Sequence, residues 1–178
     1  MDTQQQKQFK ILLLGDTCKD IYQYGYVDRI SPEAPVPVFV KTNSQEKYGM
    51  VDNVLVNLIT LGCKVDVIRG EKSTKTRLID IRSKQQIVRI DEDVYSEPID
   101  DIDLNVDARD FDAIVISDYD KGFITYELVS RLRVAHNIPI FIDSFRASSG
   151  KSNILAYCEH NSCTDIQVTL FCTYFLSL

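Results

Sequence analysis

The sequence predicts an α/β fold in which parallel strands alternate with helices. Three continuous apolar runs, at residues 9–14, 111–117 and 138–143, are typical of buried strands. Two segments with helical spacing of their apolar residues, 50–61 and 124–135, lie between β-like segments. Because a strand–helix–strand unit pairs its strands in parallel through a right-handed crossover, this order implies a sheet covered by helices.

An extended edge is predicted after the first strand. The run FKILLL ends in Gly15-Asp16, which indicates that the strand opens there into a loop. Pro32, Pro35 and Pro37 then fall within residues 29–40. Since proline donates no backbone hydrogen bond, this segment is expected at a sheet edge and not in a helix or a central strand.

A small antiparallel element is predicted after the first helix. Gly62 supplies the stop of that helix, and residues 64–69 alternate like a short strand. Two further β-like runs, 76–81 and 86–90, flank a polar turn and predict a hairpin. We expect this hairpin and the proline-rich segment to lie together beside the main sheet.

Composition fits a soluble globular chain that forms one domain or a large part of one, with 178 residues, 44% hydrophobic and 26% charged. The chain has no apolar run long enough for a membrane span, and its polar start lacks the apolar core of a signal peptide. A cytoplasmic protein with free thiols and no membrane partner is therefore expected.

The charge is unevenly distributed. The net charge is −6, yet residues 91–112 hold ten acids against Arg109, and residues 72–89 hold six cations against Asp80. An acidic chain is a poor partner for nucleic acid, whereas a local basic stretch suits a small anion such as a phosphorylated metabolite. A solvated, charged hairpin is the alternative interpretation.

Polar residues follow all three predicted strands, and α/β sheets bind ligands beyond the carboxyl ends of their strands. Asp16 and Asp20 follow the first strand, and carboxylates can accept hydrogen bonds from sugar hydroxyls. Residues 118–122 (DYDKG) and 143–144 (DS) follow the other two. Turn or capping aspartates are the alternative for Asp16 and Asp20.

The start of the first helix is another candidate site. Gly49 permits a ligand to approach the backbone N–H groups at the positive helix end, and Asn53 places an amide in the first turn. An ordinary helix-start glycine and a mild capping role are the alternatives. Residues 150–152 (GKS) resemble the end of a P-loop, but the first glycine is replaced by Phe145, and no zinc spacing or nucleophile–histidine set is legible.

Several segments in order resemble the ribokinase/PfkB family of carbohydrate kinases. They are GD followed by Asp20, RISPEAPVPV, the glycine-opened helix, KTR with QQIVRID, ISDYDKG and IPIFID. Heptose-phosphate kinases, including the kinase half of the bifunctional heptose kinase/adenylyltransferases, are the subgroup that the chain most resembles. Residues 29–38 are the most specific match, and the resemblance covers roughly residues 9–146.

The resemblance implies a partial ribokinase-like αβα sandwich with a small β lid at about residues 24–42 and 74–91, which also builds a homodimer. It implies phosphoryl transfer from ATP, with Mg²⁺, to a sugar or sugar phosphate. It implies that the sugar is bound by Asp16, Asp20, Gly49 and Asn53. It also implies that phosphate or the lid–core seam is faced by Arg77, Arg89 and Lys121, and that the strand-end loop is shaped by Asp118 and Gly122.

The sequence also departs from the family pattern. Met50 and Asp52 follow Gly49 where the family has a second glycine and alanines, so crowding and an added negative charge are expected at the sugar site. The family's glycine-rich anion hole and catalytic aspartate have no counterpart. We therefore expect residues 1–146 to be the N-terminal part of a kinase domain that is catalytically incomplete. Residues 147–178 are expected to be an atypical tail, so that either the chain is truncated or the tail is not a native continuation.

Two alternative functions stay open at this point. One is a non-catalytic module for sugar binding or dimerisation built on the same half-fold. The other, more distant, is a receiver-like signalling domain, suggested by DAIVISDYDKG before a helix. A receiver needs an acidic pair directly after its first strand, and the proline-rich segment has no place in it.

Overall fold

A computed structural model describes residues 8–99, 107, 110–135, 138–144 and 153–157. These residues form a mixed sheet with a helix on each face. The elements are β1 (Lys10–Ile30), β2 (Pro37–Met50), α1 (Val51–Thr60), β3 (Lys64–Asp80), β4 (Gln86–Glu92), β5 (Ala113–Asp118), α2 (Tyr126–Ala135), β6 (Ile140–Ser144) and β7 (Asn153–Tyr157). The α/β class predicted from the sequence is confirmed.

The first part of the sheet, here called the core sheet, is built around the start of β1. Residues 10–15 of β1 pair in parallel with residues 64–69 of β3 on one side and with β5 on the other, and β6 pairs in parallel with β5. β7 closes the edge antiparallel to β6. The parallel pairs confirm the crossover topology that the alternation of strands and helices predicts.

Alternate residues of β1 supply two hydrophobic clusters, one on each face of the core sheet. Leu12 and Leu14 pack with residues of β5 and with Leu128 and Leu132 of α2. Ile11 and Leu13 point to the other face and pack with the buried side of α1. Because both faces are covered, the strand is a continuous apolar run rather than an alternating one.

The second part, here called the lid, continues the same two central strands. Residues 17–25 of β1 pair with residues 72–80 of β3, β2 pairs antiparallel with β1, and β4 pairs antiparallel with β3. The order across the lid is therefore β2, β1, β3, β4. β2 lies at the edge, as the prolines before it require.

Two predictions about strand ends are wrong. The loop expected at Gly15-Asp16 is strand, because β1 continues to Ile30, and the two β-like runs at 64–69 and 76–81 are one strand, β3. The pairing register shifts between Gly15 and Thr17, where β3 contains an extra residue. Such a bulge bends a strand without ending it, so the polar residues that suggested a break lie in a bend between core sheet and lid.

Some of the remaining element predictions are confirmed, and others fall on residues that the structure does not describe. The helices predicted at 50–61 and 124–135 and the hairpin are confirmed within the usual uncertainty of element ends. β7 lies in the segment where no further element was expected. Most of residues 147–178 lie outside the described residues, so their interpretation as an atypical tail stays a prediction. Neither described helix is long and apolar enough to cross a membrane.

Candidate functional site

The candidate site lies where the core-sheet part of β1 and the carboxyl end of β5 meet the base of the lid. Asp16 is buried there, and its Oδ2 accepts hydrogen bonds from the backbone N–H groups of Tyr119 and Lys121, at 2.7 and 3.3 Å. The carboxylate of β1 thereby holds the loop that follows β5. Asp16 therefore has a structural role in this loop, whatever else it binds.

Asp20 lies four residues further along β1, in the lid. Its Oδ1 accepts a hydrogen bond from Nη1 of Arg77, and the two side chains form an ion pair. Its Oδ2 lies 3.9 Å from the thiol of Cys18, which donates toward it. The guanidinium fixes the carboxylate through one oxygen and leaves the other beside Cys18 and Gly49, just before α1.

Gly49 lies against that second oxygen. A Cβ atom at position 49 would lie 2.9 Å from Oδ2 of Asp20 and 2.9 Å from Sγ of Cys18, so a side chain would displace the carboxylate. The pKa of the Cys18 thiol is raised, first by burial and then by the charge of Asp20, which keeps the thiol protonated. The structure thus brings together Asp20, Gly49 and Arg77, three of the residues predicted for the site.

The start of α1 is held by a different set of contacts. Asp52 accepts a hydrogen bond from Oγ1 of Thr17 at 2.5 Å and forms an ion pair with Arg69, Nη2 to Oδ1, at 2.7 Å. The negative charge that was expected near the sugar is therefore compensated within the chain, and it ties α1 to β1 and β3. Asn53 follows on the exposed side of the helix, and its side chain makes no hydrogen bond to a described residue.

Met50 connects β2 to α1 in an unusual backbone conformation. Its φ is +58° and its ψ is −125°, a region that favours glycine, and its side chain is buried. The glycine that the family pattern has at this position would adopt this conformation without strain. Met50 is therefore a strained residue at the joint between lid and core sheet.

Two acids lie at the ends of β5 and β6. Asp118 accepts hydrogen bonds from Oγ of Ser144 at 2.8 Å and from the backbone N–H of Asp120 at 2.9 Å. The pKa of Asp143 is raised, first by burial and then by the nearby charge of Asp118. Burial, followed by the charge of Asp143, also raises the pKa of the Tyr119 hydroxyl. Asp118 thus ends β5 and is held by contacts to the end of β6 and to the loop that follows β5.

Lys121 connects the same loop to the segment that leaves the lid. Its Nζ forms an ion pair with Asp93 at 2.9 Å and lies 5.3 Å from the ring centroid of Tyr95. The hydrogen bond to Asp93 is the first cause of the raised pKa of Lys121. Gly122, with φ +92°, follows where a Cβ atom would lie 2.7 Å from the carbonyl oxygen of Ser96. Lys121 therefore lies at the seam between lid and core sheet.

The two predicted lid arginines are cross-strand neighbours. Arg77 of β3 lies directly opposite Arg89 of β4 in the register. Each has its own carboxylate partner, Asp20 for Arg77 and Asp91 for Arg89. Like charges placed directly opposite each other are destabilising, so these partners also stabilise the lid.

Sequence reasoning missed Cys18, Thr17 and Arg69. The alternation of β1 would have placed Cys18 on the face of Asp20, but the strand was expected to end at Gly15. Thr17 and Arg69 carry no motif that identifies them. Among the described residues, no group of three or more His, Cys, Asp or Glu side chains is arranged to hold a metal ion.

Comparison with known proteins identifies relatives by sequence. The chain is 34% identical over 167 residues to the bifunctional protein HldE of a Nitratiruptor species, a match that covers 75% of this chain and 36% of that protein. It is 31% identical over 167 residues to the D-beta-D-heptose 7-phosphate kinase of Bordetella bronchiseptica, covering 75% of this chain and 53% of that one. The chain thus spans about a third to a half of the length of these curated relatives.

Solved structures with a similar fold include a carbohydrate kinase from Agrobacterium tumefaciens, at a TM-score of 0.46 and 13% identity, with 76% of this chain and 53% of that chain covered. The ribokinase of Arabidopsis thaliana complexed with ribose and ATP matches at a TM-score of 0.45 and 12% identity, with coverages of 77% and 54%. No protein-family model matches the chain.

Proposed function

Because the chain belongs to the ribokinase/PfkB family of carbohydrate kinases and is similar to heptose-phosphate kinases, we propose that it supplies the sugar-binding site and lid of such a kinase. The proposed substrate is a sugar or sugar phosphate of the heptose 7-phosphate type, as the name of the Bordetella relative suggests. The proposed location is the cytoplasm. Nucleic acid and membranes are not proposed as partners.

The observation that carries this proposal is the convergence of Asp20, Gly49 and Arg77. An ionised carboxylate with one oxygen held by a guanidinium and the other directed at a side-chain-free backbone is suited to accept a hydrogen bond from a sugar hydroxyl. The loop held by Asp16 lies at the same end of the sheet. In α/β sheets this end is the usual place for a ligand.

ATP and Mg²⁺ would serve the family reaction, but the residues of this chain do not fit them. A phosphate-binding loop needs several close glycines, whereas the seven glycines of this sequence all lie at least eight residues apart. The described residues also contain no cluster suited to a metal ion. We therefore propose sugar binding without turnover by this chain alone, and we derive no step of phosphoryl transfer.

Calorimetry on the full 178-residue chain tests the proposal. We expect heptose 7-phosphate to bind and ATP not to bind. Asp20→Asn should weaken the binding of heptose 7-phosphate by about tenfold or more, because a charge-assisted hydrogen bond is lost. Asp66→Asn is the matched control, since Asp66 is a carboxylate paired with Lys10 at the opposite end of the strands. Tight ATP binding, or equal affinities in Asp20→Asn and wild type, would contradict the proposal.

We also propose that the lid forms a homodimer. Support comes from an apolar strip on the lid face opposite Asp20, where Ile21, Leu78, Val88 and Ile90 lie on neighbouring strands and Val88 and Ile90 are 45% and 50% exposed. Exposed apolar patches of this kind mark interaction surfaces. Sedimentation should show a dimer that Ile90→Glu converts to a monomer without loss of sugar binding; a monomeric wild type would overturn this proposal.

A further inference from the structure

The charged face of the lid carries cations that differ in how firmly they are held. Lys75 and Arg77 of β3 lie directly opposite Asp91 and Arg89 of β4, so all four side chains are on one face. Asp20 of β1 is paired in register with Lys75 and lies on the same face. Asp20, which we propose binds the sugar, and these cations therefore form one continuous surface.

The side chain of Arg77 is held by its ion pair with Asp20. The two side chains are only 20% and 17% exposed, and the hydrogen bond to Asp20 is the first cause of the raised pKa of Arg77. A partly buried ion pair of this kind is costly to break, because one charge would be left without its partner. Arg77 is thus a positioning residue for Asp20.

Arg89 is held differently. Its Nε donates to Oδ1 of Asp91 and its Nη2 donates to Oδ2, both at 2.8 Å. This two-pronged arrangement is the one that a guanidinium also makes with a phosphate. The two side chains are 50% and 30% exposed, and exposed pairs contribute little to stability. A competing dianion can therefore replace Asp91 at small cost.

Lys75 lies beside the ion pair of Arg89 with Asp91. The side chain of Lys75 makes no hydrogen bond or ion pair to another described residue. The pKa of Asp93 is lowered first by its hydrogen bond to Lys121 and, further down the order of causes, by the charges of Lys75 and Arg89. The charge of Lys75 also acts on the Cys18 thiol beside Asp20. Lys75 therefore lies between the Asp20 end of the surface and Arg89.

We propose that Asp91 occupies, in the ligand-free protein, the place of a phosphate monoester on the substrate, and that Arg89 and Lys75 bind that phosphate once Asp91 is displaced. Asp91 is then a specificity-determining residue, because it lowers the affinity for the phosphorylated sugar and leaves the unphosphorylated sugar unaffected. This inference rests on the proposed sugar-phosphate function. It adds to that function the residue against which the phosphate competes.

The test compares Asp91→Asn with Asp28→Asn in the full chain, by calorimetry with heptose 7-phosphate and with the unphosphorylated heptose. Asp28 is the matched control, because it forms an exposed ion pair with Arg82 at 2.7 Å elsewhere in the same lid. We expect Asp91→Asn to tighten the binding of heptose 7-phosphate about fivefold and to leave the unphosphorylated sugar unchanged. Asp28→Asn should change either affinity by less than about twofold.

A variant that removes a proposed phosphate-binding cation should change the affinity in the opposite direction. Lys75→Gln should weaken the binding of heptose 7-phosphate about fivefold, and the difference should shrink at high salt, where exposed charges are screened. Thermal melting of each variant checks that the lid still folds. Equal effects of Asp91→Asn and Asp28→Asn, or no effect of Asp91→Asn on a wild type that binds heptose 7-phosphate, would overturn this inference alone. If the wild type binds neither sugar, the proposed function is overturned together with this inference.

Discussion

The core sheet and the lid share two strands, β1 and β3, yet different forces hold them. In the core sheet Leu12, Leu13 and Leu14 of β1 are fully buried between two helices. In the lid the same strand is flanked by half-exposed side chains and by ion pairs such as Arg77–Asp20. The backbone ladder is continuous, so the difference lies in side-chain burial, and segments with little buried apolar area open most easily.

This difference in side-chain burial indicates that the core sheet and the lid have different roles. The core sheet fixes the strand ends and, through Asp16, the loop after β5. The lid carries the charged surface and has few buried contacts of its own. A sheet that is stabilised chiefly by backbone pairing and side-chain ion pairs, with little buried apolar area, is expected to open more easily than the core sheet.

The largest expected effect is a truncation in the core sheet. Leu13→Ala should lower the free energy of unfolding by about 2–5 kcal/mol, because it leaves a cavity between β1 and α1. Val88→Ala in the lid should cost less than about 1 kcal/mol, since Val88 is 45% exposed. Urea denaturation of both variants measures the difference. Similar losses would show that the lid is as tightly packed as the core sheet.

An intermediate effect is expected at Met50, where the lid joins the core sheet. Met50→Ala loses buried surface and keeps the strained φ of +58°, whereas Met50→Gly loses one methyl group more and relieves the strain. Met50→Gly should therefore be more stable than Met50→Ala by about 1–2 kcal/mol.

Position 56 supplies the control for Met50, because Val56 is exposed within α1. There the order should be reversed, with alanine more stable than glycine by about 1 kcal/mol. Thermal or urea unfolding of the four variants gives the comparison. Alanine above glycine at both positions would show that Met50 is unstrained.

The smallest effect concerns pH. Burial raises the pKa of Asp143 in the core sheet, so this group's contribution is favourable in acid and is lost as the pH rises through the raised pKa. In the lid the pKa of Asp80 is lowered, first by the backbone N–H of Ser83 and then by that of Arg82, so its contribution is present above the ordinary carboxyl pKa and is lost as the pH falls through the lowered pKa.

The two aspartates therefore predict opposite signs. At neutral pH Asp143→Asn should be slightly more stable than wild type, and Asp80→Asn slightly less stable. Both differences should shrink in acid, where the wild-type carboxyls are protonated in both states. Urea midpoints measured across the acid range provide the test, and equal signs for the two variants would contradict it.

Much of the core sheet could be predicted because its signals are local. The apolar run before Gly15, the helical spacing in residues 51–60 and the positive φ of Gly62 all follow from neighbouring residues. The lid was predicted as two segments, at about residues 24–42 and 74–91, but the continuity of its strands with the core sheet was not predicted. Polar residues around position 71 favour a break in a strand, and pairing with β1 overrode that preference.

The site was predicted as a set of residues and not as a geometry. Family resemblance identified Asp20, Gly49 and Arg77, and their contacts join residues up to 57 positions apart. Other contacts had no signal in the sequence, including the ion pair of Asp52 with Arg69 and the hydrogen bond from Thr17 to Asp52. A charged residue reveals its sign in the sequence, but its partner depends on which strands become neighbours.

The amino-acid order alone therefore determined the α/β class and the two helices, because periodicity acts over a few positions. The residues proposed to bind a sugar came from motifs that resemble those of a known family. Tertiary structure decided that β1 and β3 run through both regions, that Asp16 holds the loop after β5, and that Arg77 pairs with Asp20. These features depend on register between distant segments, which burial of the whole sheet sets and no local pattern encodes.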